Sequence, residues 1–227
     1  MPDRLAPVTG WGVLHLFCKA QPDVDAEAVL TAVKAGRGEE HQVVTFSVLG
    51  HKADVGFLAL GPDLWRLRAL QSGIQAAGLE VVGSYVSLTE VSEYAKGMPA
   101  EMLNPRLHPQ LPPEGMRAIC FYPMSKRRVP GQNWYELAYE ERERLMHGHG
   151  KSGRAFRGRV LQVVTGSTGL DDFEWGVTLF AVAPDDLKEV VYTMRFDEAS
   201  ARYAEFGPFF TGMVADLEDV LRSAGLD

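Results

Sequence analysis

Four short stretches, all in the second half of the chain, hold residue types able to bind an anion, ligate a metal or give up an electron. The first is Phe121-Tyr122-Pro123-Met124-Ser125-Lys126-Arg127-Arg128. Proline cannot donate to a strand ladder, so a strand is expected to end at Tyr122. Side chains at a strand end face a crevice, and from there Tyr122 and Lys126 can both point at a ligand. Read alone, Lys126–Arg128 fit solvated charges after a strand better than a ligand site. The second stretch, LAYEERERLMHGHG from Leu137 to Gly150, reads as a helix that Gly150 ends. His149 follows Leu145 by four residues and Met146 by three, which places it on the apolar, inward face. His147 lies roughly 200° around the helix and faces away. An inward, neutral imidazole can hold a metal or fill a core, and for a lone histidine the core reading is the stronger.

The third stretch, Arg159–Thr165, is an apolar strand interrupted by Gln162. A buried amide needs a partner, which a ligand or the neighbouring backbone supplies. In the fourth, Met194–Tyr203, Asp197 reads as a helix N-cap with Arg195 before it and Ser200 in the first turn. An arginine and a hydroxyl near a helix start suit a carboxylate or phosphate, or serve as a plain cap with surface ion pairs. No stretch spells a catalytic triad, P-loop, dinucleotide fingerprint or zinc site.

The elements that position these residues follow an internal repeat. Trp11–Cys18 and Arg117–Tyr122 are strand-like runs whose cysteines lie 102 residues apart. Val43-Val44 recurs as Val163-Val164, and Gly56-Phe57-Leu58 parallels Gly176-Val177-Thr178, both at an offset of 120. Each copy then reaches Pro62-Asp63 or Pro184-Asp185, a helix start with the aspartate as cap. Alternation marks Val43–Val48 and Gly176–Phe180 as strands, while helical spacing marks Leu64–Ile74 and Leu187–Met194. Each half thus reads strand, helix, strand, strand, helix, strand, the ferredoxin-like unit used twice in an α+β protein. The expected halves are 1–98 and 116–227, joined by a proline-rich, extended linker over 99–115. The growth in offset places the extra residues of the second copy between Met124 and Gly158.

At 227 residues the chain can bury a substantial core, and its net charge of −7 argues against nucleic acid as a partner. It holds neither a membrane-spanning apolar run nor a signal-peptide stretch, and Cys18 and Cys120 lack metal-type spacing. These features lead to the expectation of a cytoplasmic protein with reduced thiols.

The blocks CFYPMSKRR, NWYELAYEERERLMHGHGKSGR, VVTGSTGLDDFEWGVTLFA and YTMRFDEASARYAEFGPFF strongly resemble the coproheme decarboxylases of the chlorite dismutase superfamily. The likeness runs almost unbroken from Cys120 to Phe210, and GWGVLHLF and LGHKADVGFLAL continue it more faintly in the first half. This resemblance implies a dimeric α+β barrel of two ferredoxin-like halves, assembled as a homopentamer. It implies iron coproporphyrin III as substrate and redox cofactor, with hydrogen peroxide as oxidant. Two propionates become vinyls, giving haem b and carbon dioxide. By the same resemblance His149 is the axial iron ligand, Tyr122 the tyrosine that forms a radical, and Lys126 the lysine beside a reacting propionate. Arg106, in NPRLHP, binds a propionate, with His108 a rival for that place; Ser200 contacts a propionate, Gln162 is distal and Trp134 proximal. Coproheme carries four propionates, so an acidic chain must gather local cations, for which Arg106, Lys126 and Arg195 are available. True chlorite dismutases carry a distal arginine where this chain has neutral Gln162. A chlorite dismutase, a dye-decolourising peroxidase and a non-enzymatic haem carrier are the alternatives on the same scaffold.

Overall fold

Asp25 and Asp63 start the first two helices as side-chain caps, their carboxylates accepting the N–H groups of Ala28 and Trp65. In this computed structural model, which describes residues 3–95 and 97–226, the first half runs β1 (Gly12–Lys19), α1 (Ala26–Gly36), β2 (Gln42–Leu49), β3 (Val55–Gly61), α2 (Leu64–Ala76) and β4 (Glu80–Thr89). The expected outer limits of the halves, residues 1 and 227, lie outside the described residues. A short helix, α3 (Ala100–Leu107), follows with Pro105 inside it, so the segment expected to be extended is partly helical.

The second half runs β5 (Ala118–Lys126), a small hairpin of β6 (Arg128–Val129) and β7 (Gln132–Asn133), α4 (Tyr139–Arg154), β8 (Val160–Gly166), β9 (Trp175–Ala181) and α5 (Pro184–Met194). Then come α6 (Glu198–Tyr203), β10 (Ala204–Phe206), β11 (Phe210–Val214) and α7 (Leu217–Ser223). The extra residues of this copy form the hairpin and lengthen α4.

Local expectations fail here at four points. β5 does not stop at Tyr122 but continues through Pro123 to Lys126. The Pro123 carbonyl accepts the Gly207 N–H, so its nitrogen edge faces the gap between β10 and β11, where no ladder donor is required. α4 does not end at Gly150 but passes Gly148, Gly150 and Gly153 to reach Arg154. Packing against α5 and α6 outweighs the weak helix preference of glycine. The left-handed residue that turns the chain into β8 is Gly158, at φ +83°. α5 begins with Pro184 at its first turn and no side-chain cap, so Asp185 does not play the part of Asp63. Finally, Phe46 pairs with Gly56 but Thr165 with Gly176, an offset of 119 in the second strand. Val43 therefore packs on the outer face and Val163 on the inner one.

The strands close into a barrel in the order β5-β11-β2-β3-β1-β4-β8-β9, with β9 returning to β5 and β10 continuing the β5 edge beyond β11. A barrel of this strand number is filled by its own side chains. Trp11, Phe17, Phe46, Phe121 and Phe180 occupy the interior, with His15 Nε2 2.9 Å from Thr178 Oγ1 and Ser87 Oγ 2.8 Å from Thr165 Oγ1. Burial holds His15 down at about 3, so it stays neutral. Gly56 and Gly176 leave space for rings: a Cβ at Gly56 would lie 2.2 Å from Phe46, and one at Gly176 2.8 Å from Tyr85. Outside the barrel, α1, α2 and α7 cover the first half, while α5 covers part of the second.

Phe121→Ala should destabilise the protein by about 3–5 kcal/mol in denaturant unfolding, the range for an aromatic ring removed from a packed core. A loss below about 1.5 kcal/mol would contradict a filled barrel interior.

Candidate functional site

Even-numbered residues of β5 point out of the barrel, and the pairings with β9 and β8 extend that face. Tyr122 pairs with Val177 and Val177 with Val164; Cys120 pairs with Leu179 and Leu179 with Gln162. Val177 and Leu179 are buried, but Val164 is 41% exposed and Gln162 is exposed too. The expected buried amide is thus an open one, because α4 packs on α5 and α6 and stands off β8. An uncovered, partly apolar sheet face beside a helix is the kind of surface that a flat apolar ring system would need.

On α4, Leu145 is buried, His149 partly buried and His147 exposed, as helical spacing predicts. His149 Nδ1 lies 3.1 Å from Asp197 Oδ1 and 3.4 Å from Ser200 Oγ. A carboxylate only accepts, so Nδ1 carries the proton and Nε2 keeps its lone pair. Burial lowers the His149 pKa, the Asp197 carboxylate opposes that, and the Lys126 charge adds to it. Asp197 also caps α6 by accepting the Ser200 N–H. Sequence reasoning found the cap and missed the contact with His149; a carboxylate placed to cap one helix while reaching another leaves no local signal.

Lys126 is buried. Its Nζ lies 4.3 Å from the Trp134 ring centroid and 3.5 Å from the Ala199 carbonyl, and no carboxylate among the described residues pairs with it. Burial pushes its pKa down to about 8, against the pull of Asp197 and Glu174. The Glu174 carboxylate accepts the Lys126 backbone N–H at 2.8 Å and pairs with Arg128, anchoring the strand end. Trp134, buried, meets Tyr203 edge-on at 5.3 Å. Tyr122 stacks on Phe209 at 4.5 Å and meets Phe206 at 5.5 Å. Burial pushes its phenol upward, so the hydroxyl keeps its proton at neutral pH.

The structure thus joins His149 to Ser200 and Lys126 to Trp134, both pairs meeting α6, at Ser200 and at the Ala199 carbonyl, and sets Tyr122 and Gln162 on the adjoining sheet face. Arg106 is not among them. It is exposed in the last turn of α3, whose end is held to β4 by Thr89 Oγ1 donating to the Leu107 carbonyl at 2.7 Å. His108 packs against Trp11 and bonds Asn104. Arg195 is exposed, with its guanidinium over Tyr192.

These residues suit an anionic iron porphyrin. The neutral His149 offers a free Nε2 with a hydroxyl beside its ring, and the buried Lys126 ammonium pairs with no carboxylate among the described residues. A family model described as chlorite dismutase matches residues 23–215. The chain belongs to the chlorite dismutase family. Within it, the chain is 46% identical to the coproheme decarboxylase of Thermus thermophilus, over 98% of this chain and 97% of that one. It is 40% identical to the coproheme decarboxylase of Staphylococcus carnosus, over 94% and 95%. A Natronomonas pharaonis protein whose name refers to heme binding is 41% identical over 93% of this chain, which spans 40% of that protein. Among solved structures, a heme-binding protein from Thermus thermophilus superposes with a TM-score of 0.86 at 38% identity, covering 99% of this chain and all of that one. A mutant chlorite dismutase from Candidatus Nitrospira defluvii has a TM-score of 0.76 at 18% identity and coverages of 96% and 97%, a likeness of fold. No helix among the described residues is long and apolar enough to cross a membrane.

Asp197→Asn should lower the His149 pKa further, because the carboxylate is what opposes burial there. Histidine NMR titration of the ligand-free protein reads this directly, and an unchanged or raised value would contradict the contact.

Proposed function

We propose that this chain is a coproheme decarboxylase. It binds iron coproporphyrin III in the trough between α4 and β8 and, with hydrogen peroxide, turns two propionates into vinyls, yielding haem b and carbon dioxide. The observation that carries this reading is Lys126. A buried ammonium without a carboxylate partner is costly unless an anion from outside completes it, and a propionate is such an anion. Near-full-length identity to proteins of that name supports the same conclusion.

When bound, the iron porphyrin acting with peroxide supplies the one-electron oxidant that an unactivated propionate C–H bond requires. The chain does the rest. His149, its Nδ1–H held by Asp197, would offer Nε2 to the iron. Lys126 and Ser200 would hold one propionate, and Arg106, or His108 in its place, another from α3. Tyr122 would keep its proton until it gives up an electron and a proton together, and then take hydrogen from the propionate. Trp134 would brace Lys126 from the proximal side. Gln162 would offer a neutral amide from the distal face, a poor partner for a chlorite anion. The same reading makes the chain a cytoplasmic homopentamer with no nucleic-acid partner.

Peroxide added to the coproheme-loaded protein should produce stepwise mass losses ending at haem b; bleaching without decarboxylation would refute the reading. Tyr122→Phe should bind coproheme normally and form no vinyl product, and normal haem b formation by that variant would move the radical elsewhere. Haem b, with two fewer carboxylates, should bind about ten- to a hundredfold more weakly than coproheme, the equivalent of ~1.5–3 kcal/mol. Coproheme affinity should also fall as pH rises through about 8, where Lys126 loses its charge. Lys126→Met should remove that fall; an equally steep one in the variant would assign the titration to another group.

A further inference from the structure

Three oxidisable rings line this site, and they stand in different surroundings. Tyr122 is flanked by Phe206 and Phe209, rings that give up an electron reluctantly. Trp134 is packed edge-on against Tyr203, and both are buried, so an electron lost from one can be replaced from the other. Over the indole sits the Lys126 ammonium, at 4.3 Å from its centroid, steadied by the Ala199 carbonyl. The two carboxylates whose charge acts on it are otherwise engaged: Asp197 with His149 and Glu174 with Arg128. Neither cancels the ammonium by a direct pair.

Oxidation of an indole starts with loss of an electron from its π system. A cation over the ring face stabilises the neutral ring and repels the positive charge that oxidation would create. Burial strengthens both effects, since little water lies between the charge and the ring. The geometry points to Lys126 as an electrostatic gate on Trp134, which disfavours loss of an electron from the Trp134–Tyr203 pair and leaves Tyr122 as the donor; a propionate held by Lys126 screens this charge in part, so the gate is at full strength in the ligand-free protein. The inference deepens the proposed function and rests on it for the oxidant, peroxide acting with the iron porphyrin. On the productive route, one electron and the phenolic proton of Tyr122 go toward reducing peroxide oxygen to water. The tyrosyl oxygen then takes a hydrogen atom from the propionate and the phenol is restored; the substrate radical gives the second electron to the same oxidant as its carbon–carboxylate bond breaks, carbon dioxide leaves and the vinyl forms. On the leak, the same oxidant takes one electron from Trp134, Tyr203 refills it while losing its own proton, and no hydrogen is removed from the substrate.

The gate can be tested without coproheme. Ligand-free protein is illuminated with ruthenium tris-bipyridine and persulfate, a one-electron oxidant, and oxidised residues are mapped by peptide mass spectrometry. Oxidation at Trp134 and Tyr203 should rise about tenfold in Lys126→Met, ~1.4 kcal/mol on the oxidation and within the range of a desolvated cation–π contact. Lys126→Arg, which keeps the charge, should resemble the unaltered protein, and exposed Trp65 serves as the reference. Equal Trp134 yields in Lys126→Met and the unaltered protein would overturn the gate. Should that variant not fold, the unaltered protein with coproheme and peroxide decides: products on Tyr122 with Trp134 spared support it, and Trp134 oxidised as heavily as Tyr122 sinks it. A contrast in the photochemical arm without porphyrin decarboxylation would refute the proposed function and leave the gate standing. Decarboxylation without that contrast would do the reverse.

Discussion

Strand β5 is hydrogen-bonded along both edges, to β9 on one side and to β11 and then β10 on the other. A strand held on both sides cannot shift by one residue without exchanging its faces. Ile119 and Phe121 fill the barrel interior, while Cys120 and Tyr122 face out. The hydrogen bonds that close the barrel are therefore also those that aim Tyr122 and Lys126. A slip would send the phenol into an apolar interior and a phenyl ring into the site, so closure and chemistry share one constraint.

The acidic chain uses its carboxylates here for orientation and leaves the buried Lys126 ammonium without a direct partner among the described residues. Asp197 caps α6 and fixes the His149 tautomer; Glu174 holds the Lys126 backbone and Arg128. Either could have paired with the Lys126 ammonium, and neither does. That arrangement keeps a positive charge in a buried place while the molecule as a whole carries −7. It also makes Lys126 one of the groups most sensitive to what occupies the trough, since an arriving anion changes its protonation, its hydrogen bonds and its hold on Trp134 together.

Much of this was readable from residue spacing. The doubled strand–helix order, the inward face of His149 and the capping roles of Asp63 and Asp197 depend on neighbours within a few positions, which is where sequence patterns speak. What was not readable depends on distant elements. Pro123 stays inside β5 because Gly207, far along the chain, opens a gap beside it. The glycines of α4 remain helical because α5 and α6 support them. Gln162 is open because a helix stands away from its strand, and nothing in RVLQVVT announces that. The one-residue slip between Val43-Val44 and Val163-Val164 shows how a repeated dipeptide can match in letters and differ in face. The position of Arg106, on a helix inside a proline-rich segment, was similarly hidden.

The last helix gives the doubled architecture an asymmetry. In the first half, α7 lies on β2, and Leu217, Val220 and Leu221 join the core under α1 and α2. β8 is the counterpart of β2 in the second half, and it lacks such a cover. Helix α7, which follows β11, thus covers the outer face of β2, while the related face of β8 stays open. Duplication alone would make the two related faces equivalent; the docking of α7 on one of them gives the molecule a closed side at β2 and an open side at β8.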